Sequence, residues 1–219
     1  MRVWKERTAD PAPRFSLQNA IFAPFNGVRL VQRIPRRSLF GLLVALLSVE
    51  REAKSAALPL ALQAELLSRL AGYDKGFRAR AGSNARVLLV SKGSPEDAQW
   101  ATRLKASLEA IEQVGGLPHT ESIVAYANGA ELARRIKAER ISIVVLPASL
   151  GSDVVDVRGA LDGLDVLSVV PDSGLVKAGI VLGYELVSGK PKLFFNPAQA
   201  TRQKVVMSAD AMKVMTVFE

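Results

Sequence analysis

Three short, almost wholly apolar runs most constrain what this chain can become: RVLLVS (86–91), ISIVVL (141–146) and VLSVV (166–170). Each is too short for a packed helix and rich in β-branched residues, so each reads as a strand covered on both faces. The segments between them have helical spacing. Ser94 is placed to cap a helix with Pro95 at its first position and Glu96 and Asp97 in its first turn. Ala101, Leu104, Leu108 and Ile111 form its apolar stripe, and Gly115-Gly116 is expected to end it. Residues 119–125 read as a further strand. Asn128, with Glu131 three residues on, opens another helix that turns Leu132, Ala133 and Ile136 inward. Arg134, Arg135, Lys137 and Arg140 suit that helix's negative C-terminal end. Residues 151–164 predict a weaker helix. Strands alternating with helices imply right-handed crossovers and a doubly wound parallel sheet.

The flanks of this pattern differ. Residues 60–73 form a dense apolar helix pattern, with Leu60, Ala64, Leu67 and Ala71 on one face. At the other end, residues 179–187 and 190–195 flank Ser188-Gly189 and predict an antiparallel hairpin. Asn196-Pro197 then opens a helix with Gln199 at its third position, and Met207-Ser208 leads into a last short helix through Met215. The expected fold is α/β and three-layered, with a mostly parallel central sheet of the Rossmann-like or flavodoxin-like kind and a C-terminal antiparallel hairpin.

Charge divides the chain. Residues 1–57 hold ten Lys/Arg against four acids, a net of +6, whereas residues 58–219 hold 19 basic against 17 acidic groups, a net of +2. The excess therefore lies mostly outside the α/β pattern, which argues against a nucleic-acid surface. Arg33, Arg36 and Arg37 precede an uncharged eleven-residue run, LFGLLVALLSV (39–49). As a helix it would span about 16 Å, short for a bilayer crossing but suited to the apolar region of a secretory signal. Ser55-Ala56-Ala57 places small residues where signal peptidase needs them, so cleavage after Ala57 is expected. Residues 1–57 thus read as an N-terminal extension with a signal peptide, and residues 58–219 as one domain in the periplasm, not stably inserted in a membrane after cleavage. Val28, Leu30 and Val31 are candidate alternative starts. The Arg36-Arg37 pair hints at twin-arginine export, and a buried or membrane-associated helix is the alternative reading of the apolar run.

Composition removes much chemistry. The chain has no cysteine and a single histidine, so disulfides, thiolate nucleophiles and Cys-based metal sites are excluded, and no metal or cofactor is expected. His119 reads as a strand-end histidine that lacks identifiable triad partners. Residues 183–190 superficially resemble a phosphate loop. Five residues separate Gly183 from Gly189, however, and Pro191 stands where Ser or Thr would hold magnesium. Asp153, Asp156, Asp162 and Asp165 lack the spacing of a calcium loop. A phosphoacceptor receiver domain would need acidic residues where Ser91-Lys92 and Pro147-Ala148 stand. What the topology allows is contact at the carboxyl ends of the parallel strands, where Ser91, Lys92, Ser94, Ser149 and Asp172 are the candidate binding residues, with loop and cap chemistry as their alternative reading.

Ala178-Gly179-Ile180, the hairpin, KPKLFFNPAQA and VVMSADAMKVM together resemble the YfiR-like (HmsC-like) family of bacterial periplasmic proteins. The resemblance extends over residues 58–219, is strongest over 166–215, and marks Gly179, Asn196 and Ser208 as family-motif positions of structural character. Phe194 stands where the family usually has Glu, Leu193 where it has Phe, and Ala178 where a second glycine is common. The cysteines that some members pair are absent, so redox switching does not carry over. The resemblance implies a non-enzymatic regulator that binds the periplasmic region of an inner-membrane sensor protein, a diguanylate cyclase or a histidine kinase, and so alters cyclic-di-GMP output and biofilm formation. A homodimer is compatible with that role. The alternative expectation is a periplasmic solute-binding or transport-associated protein, and a hydrolase or transferase using the strand-end loops ranks third.

Overall fold

The apolar runs become the interior of one seven-stranded sheet. In the computed structural model, which describes residues 58–218, the strands are β1 (Ala85–Ser91), β2 (His119–Ala125), β3 (Ile143–Val145), β4 (Leu167–Val170), β5 (Leu182–Val187), β6 (Lys190–Phe195) and β7 (Met215–Val217). The proposed signal segment, its cleavage at Ala57 and the alternative starts lie outside the described residues.

The spatial order is β2-β1-β3-β4-β5-β6-β7. The first five strands run mutually parallel in the order 2-1-3-4-5, which is the flavodoxin-like arrangement. Strand β6 returns antiparallel to β5, with Leu182 opposite Phe195 and Val187 opposite Lys190, and β7 then runs parallel to β6. The mostly parallel sheet and its C-terminal hairpin are therefore as expected.

Helices cover both faces, making three layers. On one side, α1 (Leu60–Tyr73), α2 (Phe77–Ala81) and α3 (Pro95–Glu109) pack Leu67, Phe77, Leu104 and Leu108 onto Val87, Leu89, Val145 and Tyr184. On the other, α4 (Gly129–Ala138), α5 (Val154–Leu161) and α6 (Ser173–Ala178) bury Leu132, Ile136, Leu161 and Val176 against Leu88, Val90, Val144 and Phe194. The alternation of Val87 and Leu89 with Leu88 and Val90 between the two cores follows from the two-residue period of a strand. Two short helices, α7 (Pro197–Arg202) and α8 (Ala209–Met212), close the C-terminal end.

Local signals explain most boundaries. Ser94 Oγ accepts from Asp97 N at 3.1 Å, Asn128 Oδ1 from Glu131 N at 2.9 Å and Asn196 Oδ1 from Gln199 N at 2.9 Å, so the three expected caps form. Three details differ. Helix α3 stops at Glu109, and Gly115 and Gly116, with φ of 60° and 75°, instead make the turn bridged by Val114 and Leu117. Residues 173–178 form α6 ahead of the hairpin, because Asp172 caps them by accepting from Leu175 N at 2.8 Å, and β5 accordingly begins at Leu182. The last helix ends at Met212, and Met215–Val217 is a strand on the β6 edge. Among the described residues, no helix is long and apolar enough to cross a membrane.

Candidate functional site

Strand order reverses between β1 and β3, and the crevice at their carboxyl ends is where doubly wound sheets commonly hold ligands. Here side chains tie that crevice shut. Lys92, just past β1, places Nζ 2.5 Å from Asp153 Oδ2 and 3.4 Å from the Ser149 carbonyl, and it also hydrogen-bonds Ser152. Asp97 Oδ2 accepts from Ser149 Oγ at 2.6 Å and from Lys92 N at 3.3 Å. The Lys92 ammonium, and after it the Ser152 hydroxyl, hold the Asp153 carboxyl below the usual carboxylate range. Strand-end chemistry at this point joins the loops after β1 and β3.

The open space lies beside this lock, on the α1–α3 side. A cleft of about 800 Å³ runs between the first turns of α1 and α3, the loops after β3 and β4, and the outer half of β5. Such a volume falls within the range of small-molecule sites, about 300–1,000 Å³. Its apolar wall includes Leu60, Trp100 and Leu186, and Tyr184 underlies it. The Tyr184 hydroxyl donates to Gln63 Oε1 at 3.1 Å, and burial pushes its phenol up from the ordinary value. The charged lining is mostly acidic, with Glu96, Asp97, Asp172 and Glu185 against the guanidinium of Arg103.

The structure separates the five candidate binding residues. Ser149 and Asp172 line the cleft, whereas Lys92 stands behind it in the lock. Ser91 is buried at the end of β1, and Ser94 is occupied as the α3 cap. Asp172 also has a structural duty, as the α6 cap. Sequence reasoning missed Trp100, Tyr184 and Glu185. A half-buried tryptophan at the edge of the apolar stripe of α3, one turn before Leu104, and a glutamate inside an apolar strand were the available signals.

The three positions that the resemblance singles out make structural contacts. Gly179 ends α6 at φ 124°, and a Cβ there would lie 2.2 Å from Arg158 Cδ. Asn196 both caps α7 and donates through Nδ2 to the Val176 carbonyl at 2.8 Å. Ser208 Oγ accepts from Ala211 N at 3.3 Å, capping α8. His119 pairs with Glu121 and meets the Ile111 carbonyl at 2.8 Å, away from the cleft.

No protein-family model and no curated protein matches the sequence. A solved structure shares the fold, and two others align more weakly. The ABC domain from Streptococcus pneumonia, in complex with L-Trp, is similar at 13% identity and a TM-score of 0.52, over 73% of this chain and 60% of that one. A conserved domain protein from Vibrio cholerae aligns at 13% identity and a TM-score of 0.48, over 74% of this chain and 60% of that one. A substrate-binding protein with adhesive properties from Clostridium difficile, in its ligand-free, open form, aligns at 12% identity and 0.47, over 71% and 58%. The chain spans 58–60% of the length of these structures.

Proposed function

We propose that this protein is a periplasmic solute-binding module that holds a small molecule in the cleft between α1, α3 and β5 and acts by binding, not by catalysis. The observation that carries this reading is the cleft itself, about 800 Å³ at the carboxyl edge of the parallel sheet, lined by one apolar wall and a few polar side chains. The resemblance of the fold to the L-Trp-bound ABC domain supports it. The test is a thermal-shift screen of the full chain against a metabolite panel. A ligand present at a hundred times its Kd stabilises by about 2.7 kcal/mol, which is readily measured. Ala148→Trp, at an exposed position on the cleft wall, should abolish the shift of any hit. A panel without a single hit rejects the reading.

A second reading keeps the same compartment and makes the module a regulator of an inner-membrane diguanylate cyclase or histidine kinase. It is favoured by the order of the C-terminal block: the hairpin, the Asn196-capped helix and the Ser208-capped helix follow one another as the family resemblance implies. Deleting the gene should then alter cyclic-di-GMP level or kinase output during surface growth. An unchanged output in the deletion strain removes this second reading and leaves the first standing.

A further inference from the structure

The cleft carries a charge opposite to that of the chain. The whole sequence is +8, yet four carboxylates and one guanidinium give the cleft lining a net of −3. None of the four is ion-paired among the described residues. Three of them accept from neutral donors. Asp97 takes the Ser149 hydroxyl and the Lys92 amide, Asp172 the Leu175 amide, and Glu185 the Ser173 amide. The N-terminus of α3 offsets part of this charge, roughly half an elementary unit, so the mouth stays negative.

Two further features say what kind of cation would fit. The four carboxylates stand on three elements, Glu96 and Asp97 in the first turn of α3, Asp172 at the start of α6 and Glu185 on β5, so the negative charge is spread along the wall. An extended organic cation matches that spread better than a point charge. Trp100, half-buried on α3, offers an indole to the same space, flanked by Leu60 and Leu186. An aromatic face attracts a cation and packs against the apolar body that carries it.

We propose that the cleft selects a small organic cation, an amine or guanidine on an apolar or aromatic body, with the charged end toward Glu185 and Asp172 and the body against Trp100. The inference rests on the solute-binding reading and adds its ligand class.

The test uses the full chain and three probes that share one ring system and differ in charge: tryptamine, tryptophan and indole-3-acetate, with putrescine as an aliphatic cation. Calorimetry at low ionic strength should rank tryptamine above tryptophan, with no uptake of indole-3-acetate. Raising salt should weaken tryptamine, because the cleft is open to screening. Glu185→Gln should weaken tryptamine about tenfold, the scale of one charge-assisted hydrogen bond. Arg103→Gln, at an exposed position without a side-chain partner among the described residues, should strengthen it, and this variant guards against a Glu185 change that merely disturbs β5. Tighter binding of the anion or the zwitterion overturns the charge selectivity and leaves the solute-binding reading intact. So does an anionic hit in the metabolite panel with neither cation bound. If no probe and no panel compound binds, both fall.

Discussion

Tyr184 on β5 donates its hydroxyl to Gln63 Oε1 on α1 at 3.1 Å, and both side chains are buried, at 1% and 2% exposure. Gln63 Nε2 in turn donates to the Leu58 carbonyl at 2.6 Å. This relay pins the floor of the cleft to the helix that walls it. Without its partner, a buried amide oxygen loses water and gains nothing in return. Tyr184→Phe should therefore lower stability by about 1–3 kcal/mol. Gln63→Ala should cost more than Tyr184→Phe, since two hydrogen bonds go. Urea unfolding midpoints of the two variants check the order.

What was legible in the sequence was local. RVLLVS, ISIVVL and VLSVV became strands because each is apolar along almost its whole length, and Ser94, Asn128 and Asn196 became caps because a short side-chain oxygen precedes each helix. The cleft was not legible in that way. Its walls come from residues as far apart as Leu60 and Leu186, brought together by the packing of α1 beside α3 and above β5. Lys92 and Ser149 were correctly placed at the strand ends, but their spacing could not show that they bond across the crevice through Asp97 and Asp153. Three-residue β7 has no period of its own to reveal it and exists because β6 offers it an edge.

Arg80 and Asp74 form an ion pair away from the cleft. Arg80 Nη1 lies 2.6 Å from Asp74 Oδ2, with side chains 3% and 0% exposed. Asp74 also accepts from Gly76 N and Val206 N, so it ties α2 to the segment before α8. Removing one partner strands the other charge in the interior, so Arg80→Ala should cost about 3–5 kcal/mol. Replacing the pair together, with Asp74→Leu and Arg80→Met, should recover part of that loss, because no buried charge is left unpaired and Asp165, the second carboxylate on Arg80, is half exposed. A double-mutant cycle in thermal unfolding measures the coupling.

At Gly183, β5 packs tightly against α6. A Cβ there would stand 2.3 Å from Val176 Cγ2 and 3.1 Å from the carbonyls of Asp172 and Val170. Gly183→Ala should destabilise by about 1–3 kcal/mol through overpacking. Val176→Ala in the same chain should return only part of this, since the backbone contacts stay. Asp172 lines the cleft, so the single variant should also weaken whatever ligand the thermal-shift screen identifies.

Asp156 joins α5 to the start of α4, and acid should undo that joint. Its Oδ2 accepts the Tyr126 hydroxyl at 2.7 Å and the Gly129 amide at 2.7 Å. The Tyr126 hydroxyl, and then the Gly129 amide, hold its carboxyl below the ordinary value. A carboxyl that is more acidic folded than unfolded stabilises the fold above its unfolded pKa, near 3.9, and this contribution disappears as pH falls through the lower folded value. Tyr126→Phe removes the largest cause and brings the two pKa values closer, with the Gly129 amide still in place. Wild type should be the more stable protein at neutral pH, and the gap between the two should narrow as pH falls below about 4, where the carboxylate becomes protonated in both. Urea midpoints of both proteins from pH 7 to pH 2.5 read this directly. A gap that stays constant over that range would show that the tyrosine contributes packing alone, leaving Asp156 to be held by the Gly129 amide.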